Sequence, residues 1–198
     1  MATSKVDLFN LALANISARA FVESLTEDSN ERKYCSANYD AAVRAVLEDH
    51  DWNFASAHAT LALDSDDPIS PWLYRYTYPS KCIAAREIVK ESDDAPEIPF
   101  KVDLDTAFTG KVIHTDQEQA VLRYTREVLT PGLFSPHAVI AAGWKLGSMI
   151  AIPLTHKLQI KQICDQEYQR TISEARAMNS NEAVKRDDPT PDTIQARS

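Results

Sequence analysis

His50 and Asp51 have the clearest potential for catalytic chemistry in this sequence, because with a distant cysteine they could supply a base and a nucleophile. Neither a nucleophile elbow nor an H-E-x-x-H motif accompanies them, and the five histidines are scattered. A histidine at the end of a predicted helix also complements the helix dipole without any catalysis. We therefore predict no catalytic residue here.

Acidic residues give two further candidates for chemistry. The loop 64–67 (DSDD) has the ligand type that calcium prefers, but it lacks the glycine and the distal glutamate of an EF-hand, so we expect a solvated turn. Asp103 with Asp105, or Glu118 with a second acid, could form a glycosidase pair, which needs a set separation across a cleft. Among 29 Asp and Glu residues such pairs also arise by chance.

Aromatic residues alternate along one predicted strand, at Trp72, Tyr74, Tyr76 and Tyr78. Side chains two residues apart share one face of a strand. The row is therefore either a stacking platform for sugars or bases or a face that packs on the rest of the protein. We favour packing on the helices, because the opposite face offers Arg75 and Thr77 to solvent.

The composition is that of a soluble globular protein, with 44% hydrophobic and 25% charged residues. The formal net charge of −8 makes the chain a poor candidate for gripping nucleic acid. Three widely spaced cysteines, Cys35, Cys82 and Cys164, predict free thiols in a reducing cytosol rather than a disulfide framework or a zinc site. We predict no metal and no cofactor.

No targeting or membrane segment is expected. The N-terminus lacks the pattern of a signal peptide. The most apolar stretch, residues 138–154, contains Lys145 and Pro153 and falls short of the roughly 20 residues that span a bilayer.

Two helix pairs are predicted at the two ends of the chain. Ser4, with Asp7 in the capping-box position, begins the first helix, and residues 26–29 begin a second that runs to about residue 51. Ser135 followed by proline begins a third helix, which is apolar nearly all round and so needs cover from its neighbours. Its Gly143 and Gly147 are spaced so that another backbone can approach closely. A last helix runs from about residue 155 to 185.

The predicted fold is mainly α. Residues 1–54 and 128–186 form a discontinuous helical bundle, residues 55–127 form an inserted small antiparallel β-sheet, and residues 187–198 form an extended C-terminal arm.

Three blocks of this sequence resemble one family. The first comprises residues 8–16 (LFNLALANI), 24–29 (SLTEDS), 39–42 (YDAA) and 50–55 (HDWNFA). The second is 72–82 (WLYRYTYPSKC), and the third is 168–182, centred on 174–177 (EARA). Together they resemble the tail tubular protein A family, the head-to-tail adaptors of tailed phages and gene transfer agents, over about residues 1–182. Ser17, where the family often has glycine, and the segment 178–180 (MNS), where it is more charged, depart from the pattern at turn and surface positions.

The resemblance implies a structural virion protein and not an enzyme, since the family has no catalytic motif to carry over. Its members form a ring, usually dodecameric, that joins the portal protein to the next tail or nozzle protein. Double-stranded DNA passes transiently through the channel, and no membrane is involved. The implied location is the neck or tail of a virion assembled in the host cytoplasm.

The resemblance also suggests roles for particular residues. The C-terminal segment commonly reaches the portal, which assigns portal docking to Lys185, Arg186, Asp188, Pro189, Pro191 and Ile194. Ring or core packing is expected of Val139, Trp144, Met149, Trp72, Tyr74 and Tyr76. Two other functions stay open: a tail-associated cell-wall or polysaccharide hydrolase, and a small regulatory binding protein.

Overall fold

The computed structural model describes residues 3–90, 92 and 95–182, with the side chains of 179–182 excepted. The helices are α1 (Lys5–Asn15), α2 (Asn30–Asp49), α3 (Pro136–Thr155) and α4 (Leu158–Glu182). The strands between α2 and α3 are β1 (Ser56–Thr60), β2 (Tyr74–Thr77), β3 (Cys82–Ile88), β4 (Phe100–Leu104), β5 (Lys111–Thr115) and β6 (Val121–Arg126). Short 3-10 helices, Asn53–Ala55 and Pro131–Leu133, flank the strands.

Serine side chains start three of the helices. The Ser4 hydroxyl accepts a hydrogen bond from the backbone N–H of Asp7, whose carboxylate accepts from the Ser4 backbone, so the predicted capping box is confirmed. Ser29 caps α2, and Ser135 caps α3 with proline in the first turn. Pro153 does not end α3, which continues to Thr155 and stops at a left-handed His156.

The four helices share one hydrophobic core, with α3 in contact with α1, α2 and α4. This central position explains why α3 is apolar nearly all round. It is also the one helix of the described chain that has the length and mean hydropathy (1.4) to cross a membrane, with 50% of that stretch buried in the protein. A core helix passes the same test, so this is weak evidence for a membrane segment.

Two glycines let α1 approach the backbone of α3, as the sequence predicts. A Cβ atom at Gly147 would lie 3.3 Å from the carbonyl oxygen of Ala12, and one at Gly143 would lie 2.7 Å from Cδ2 of Leu11. Both glycines are buried in α3. The close α1–α3 contact is therefore possible because glycine has no side chain at these two positions.

Replacing Gly147 by leucine is expected to lower the free energy of unfolding by about 1–3 kcal/mol, because a larger side chain pushes α1 off α3. Urea unfolding monitored by circular dichroism measures the change. Ala177→Leu, at an exposed position of α4, is the matched control and should change stability by less than about 0.5 kcal/mol. Equal effects of the two variants would contradict the close helix contact.

The strands form two three-stranded antiparallel sheets rather than one. The inner sheet has the order β1-β6-β3 and the outer sheet has the order β2-β5-β4. They face each other across a second core that contains Tyr76 and Ile113 of the outer sheet and Leu122 and Tyr124 of the inner one. The other face of the inner sheet packs on the helices, so the molecule has three layers.

The prediction of a mainly α fold is wrong. The chain has 45% of its residues in helices and 20% in strands, which is a mixed α/β fold. Alternation in the sequence identified strands, but it did not reveal that they divide into two sheets with a core of their own.

The aromatic row also packs differently from the expectation. Tyr76 is buried between the two sheets and not against the helices, and the Tyr74 ring stacks 6.2 Å from it. Arg75 on the opposite face is buried rather than offered to solvent.

Candidate interaction surfaces

His50 and Asp51 lie where the end of α2 meets the inner sheet. The His50 ring is buried edge-on against Trp52, with 4.5 Å between ring centroids, and no described group bonds its Nε2. The Asp51 carboxylate pairs with Arg123 of β6 at 2.5 Å. Burial raises the pKa of the Cys35 thiol to about 12 and that of the Cys164 thiol to about 11. The three cysteines are free, as predicted. His50 and Asp51 thus serve the junction between helices and sheet, whereas Cys35 and Cys164 are buried in the helical core.

The acidic loop 64–67 is paired with an arginine side chain of β2. The Arg75 guanidinium lies 3.4 Å from Asp64 and 3.2 Å from Asp66, so it occupies the position that a bound cation would take. Among the residues that the structure describes, no group of three or more His, Cys, Asp or Glu side chains could hold a metal ion. The loop is thus fastened to the outer sheet by an internal ion pair.

The predicted carboxylate pair is engaged in local structure. Asp103 lies 2.9 Å from the Lys101 ammonium and 4.0 Å from Nε2 of His114. Asp105 accepts hydrogen bonds from the backbone N–H (2.7 Å) and the hydroxyl (2.6 Å) of Thr109, and these bonds lower its pKa. Asp105 therefore holds the β4–β5 turn in place, while Asp103 is engaged by side chains of β4 and β5.

Two buried histidines should make stability depend on pH. Burial is the main cause that lowers the pKa of both His50 and His114, with neighbouring arginines adding to it. Each histidine also has a buried ring nitrogen without a hydrogen-bond partner among the described residues, His50 Nε2 and His114 Nδ1. Protonation would therefore place a positive charge in a buried site, and the nearby carboxylates, Asp51 for His50 and Asp103 for His114, offset this cost only in part.

We expect the free energy of unfolding to fall as the pH drops below about 6.5, the ordinary pKa of histidine in the unfolded chain. Below that pH the unfolded state binds more protons than the folded state. The free energy of unfolding then falls by up to about 1.4 kcal/mol per pH unit for each histidine. Urea unfolding between pH 8 and pH 5.5 measures this pH dependence, because carboxylates titrate below that range. His114→Gln should reduce the slope, and stability that rises on acidification would contradict the account.

The residues predicted to pack in the ring or core occupy different places. Trp144 and Met149 of α3 are half-buried against the helical core, and Val139 is half-buried nearer the start of that helix. Trp72 is half-buried in the β1–β2 connection, while Tyr74 and Tyr76 face the inner sheet. These six residues thus do not form one surface. The predicted portal-docking residues Lys185, Arg186, Asp188, Pro189, Pro191 and Ile194 lie outside the described residues.

The hairpin between β4 and β5, residues 104–110, carries an exposed apolar tip. The Asp105 N–H donates to the Gly110 carbonyl at 2.9 Å, and the Phe108 N–H donates to the Asp105 carbonyl at 3.1 Å. This turn places Phe108 at φ 57°, a left-handed position that usually holds glycine or asparagine and costs a larger residue roughly 1–2 kcal/mol. The Phe108 side chain is 79% exposed, and Leu104 beside it is 58% exposed. The left-handed backbone at Phe108 therefore lowers the stability of the fold, and burial of the aromatic ring within this chain does not compensate for it.

A concave surface lies at the far end of the helical bundle. This bundle-end groove has a volume of about 370 Å³. Its apolar lining includes Ile16, Leu154 and Ile160, and its charged lining comprises Arg19, Glu31 and Lys157. The exposed Phe21 and Leu158 are next to lining residues in the chain. A larger open cleft of about 530 Å³ lies at the junction of helices and sheet, lined in part by Phe54, Lys81, Arg126 and Leu133.

The hairpin tip and the groove lie on different parts of the molecule, the tip on the outer sheet and the groove at the end of the helical bundle. Glu31, in the first turn of α2, lines the groove, whereas the last residues of α2 contact the inner sheet. The 20 residues of α2 span about 30 Å. The hairpin tip belongs to the outer sheet, which packs on the inner sheet across the second core.

Neither surface was predicted from the sequence. Phe108 lies among residues that are typical of a turn, such as Thr106, Thr109 and Gly110. An aromatic residue inside a polar turn was the available signal. The groove gave no signal in the sequence, because it is assembled from the α1–α2 loop and the α3–α4 turn, which are far apart in the chain.

Compared with models of known protein families and with curated proteins, the sequence matches none of them.

Proposed function

We propose that this protein is a structural, non-catalytic adaptor that assembles with copies of itself into a ring between the portal and the tail of a phage-like particle. The ring is dodecameric in the family that the sequence resembles. It would join the portal to the next tail or nozzle protein and surround the path of the genome.

The observation that carries this proposal is the presence of two unlike apolar surfaces on different parts of one molecule, the outer sheet and the end of the helical bundle. A ring needs two different contact surfaces on each copy, because neighbours in a ring meet head to tail. The convex hairpin tip and the concave bundle-end groove are such a pair of surfaces. A symmetric dimer would need only one surface that matches itself.

Portal docking is assigned to the C-terminal segment, in keeping with the family resemblance. The segment 187–198 contains two prolines and three aspartates, a composition that suits a chain which becomes ordered on binding a partner. It follows α4, and α4 packs along α3 in the core, so a docked segment would be anchored to the rigid bundle.

The docking assignment is tested by removing the segment after Arg186 and measuring binding to the particle's portal protein by sedimentation. A full-length variant with residues 187–198 in scrambled order is the matched control for length and charge. We expect both changes to weaken portal binding at least tenfold and to leave thermal unfolding unchanged. Undiminished binding of both variants would place portal docking elsewhere on the chain.

A further inference from the structure

We propose that the hairpin tip of one copy inserts into the bundle-end groove of the next copy and forms the repeating contact of the ring. This pairing rests on the proposed function, since it names the surfaces through which copies of the adaptor meet. The occupant of the groove is therefore a second copy of this chain.

The hairpin tip has the shape and composition of an inserting element. Phe108 projects from a two-stranded hairpin whose turn is fixed by the Asp105 bonds to Thr109 and Gly110. The Thr106 hydroxyl donates to Asp66 at 3.0 Å, which ties the tip to the neighbouring loop. Because these hydrogen bonds already fix the backbone of the turn, binding of the tip has little main chain left to order. Large aromatic side chains in pockets are also the residues that contribute most to interfaces.

The bundle-end groove offers a matching site. Ile16, Leu154 and Ile160 provide an apolar lining. Arg19 and Lys157 stand among the charged lining residues, and neither forms an ion pair with any residue in the described part of the chain. Glu31 is the acidic residue of the lining, so the two cations leave the groove with a net positive charge, which fits an apolar knob surrounded by acids.

The surroundings of the hairpin tip are acidic. Asp66 and Asp67 lie on the loop tied to the tip, and Asp105 begins its turn. Arg75 neutralises part of this charge, and Lys101 is held by Asp103. Lys111, at the base of the hairpin, lies over the ring of Tyr78. The acids thus exceed the cations near the tip, and their charge complements Arg19 and Lys157 of the groove.

The pairing has to be between different copies. The groove lies at the first turn of α2, whereas the tip belongs to the sheets that join the other end of this helix, about 30 Å along it, so one chain does not fill its own groove. Joining a knob on each copy to a hole on the next gives a head-to-tail contact, which closes into a ring when the rotation between copies is suitable.

The test uses two full-length variants and sedimentation in the presence of the portal protein. Phe108→Asn removes the knob, and the double variant Arg19→Glu with Lys157→Glu reverses the charge of the groove. We expect each variant alone to lose the ring. Without portal, an equimolar mixture of the two should form a one-to-one dimer, because the intact groove of one accepts the intact tip of the other and no further copy can add.

Folding controls keep this test decisive. Asparagine tolerates a left-handed backbone better than phenylalanine, so Phe108→Asn should raise the melting temperature by about 2–4 °C while it abolishes assembly. Leu133→Asp changes a comparably exposed side chain (62% exposed) away from both surfaces and should leave the ring intact.

Three results would overturn the pairing. If the folded Phe108→Asn protein still forms the ring, the proposed function stands and the contact between copies lies elsewhere. If both variants are monomeric but the mixture gives no dimer, the tip and the groove do not bind each other. Wild-type protein that stays monomeric with the portal would overturn the proposed function and, with it, this pairing.

Discussion

Replacing Arg86 by methionine is expected to lower the free energy of unfolding by about 3 kcal/mol. The Arg86 guanidinium on β3 donates to the carbonyl oxygens of Leu47, Glu48 and His50, each at 3.1 Å, and to the Thr125 hydroxyl at 2.8 Å. It therefore caps the C-terminal end of α2 and joins that helix to the inner sheet. Hydrogen bonds from a charged donor contribute roughly 1.5–3 kcal/mol each but do not add fully when they share one side chain.

Urea unfolding of the Arg86→Met variant measures this loss. Arg126→Met is the matched control, because Arg126 is an exposed arginine on the neighbouring strand β6 and should change stability by less than about 0.5 kcal/mol. If the two variants were equally stable, the junction between helices and sheet would not depend on Arg86.

Replacing Trp52 by alanine is expected to lower the free energy of unfolding by about 4 kcal/mol, because it empties a large space in the core at the end of α2. Trp52 is buried, its indole N–H donates to the Val46 carbonyl at 2.8 Å, and its ring contacts His50 and Phe54. Trp52 thus fills the helical core just after the end of α2, where the chain turns through the 3-10 helix Asn53–Ala55 into β1.

Two companion variants separate these roles when unfolding is followed in urea. Trp52→Phe retains most of the apolar volume and should lose roughly half as much stability, because it loses the hydrogen bond and part of the volume. Trp72→Ala, at a half-buried tryptophan of the β1–β2 connection, should be milder than Trp52→Ala. A larger loss at Trp72 would contradict the account of the core.

Local signals in the sequence predicted the helices and strands well. The Ser4–Asp7 box and the Ser135–Pro136 pair mark helix starts that are confirmed, since a cap is a contact between neighbouring residues. The close approach at Gly147 is likewise confirmed. The division of the strands into two sheets could not be predicted, because alternation shows that a segment is extended but not which strand pairs with it.

The burial of the charged Arg75 side chain is a second feature that could not be predicted from the sequence. Arg75 occupies the polar position of an alternating strand, and such a position normally faces solvent. The side chain is buried because the loop 64–67 folds over it and supplies Asp64 and Asp66 as partners. Only the path of that loop in three dimensions decides whether the face is covered.

The candidate surfaces were the least predictable part of the molecule. Phe108 takes a backbone conformation that no propensity would assign to phenylalanine. The groove combines residues from two connections more than 130 positions apart in the chain, such as Arg19 and Lys157. Of the residues expected to pack in a ring or core, Trp144 and Met149 pack against the helical core, and Tyr74 and Tyr76 belong to the core between the sheets.

The solution mass of the purified full-length chain, alone and mixed with the portal protein, tests the adaptor proposal most directly. The proposal predicts that at least the mixture contains a closed assembly of many copies, far heavier than the 22.1 kDa single chain. The mass of that assembly would give the number of copies, which we expect to be that of a dodecamer. A chain that sediments at the mass of a monomer under both conditions would contradict the proposal.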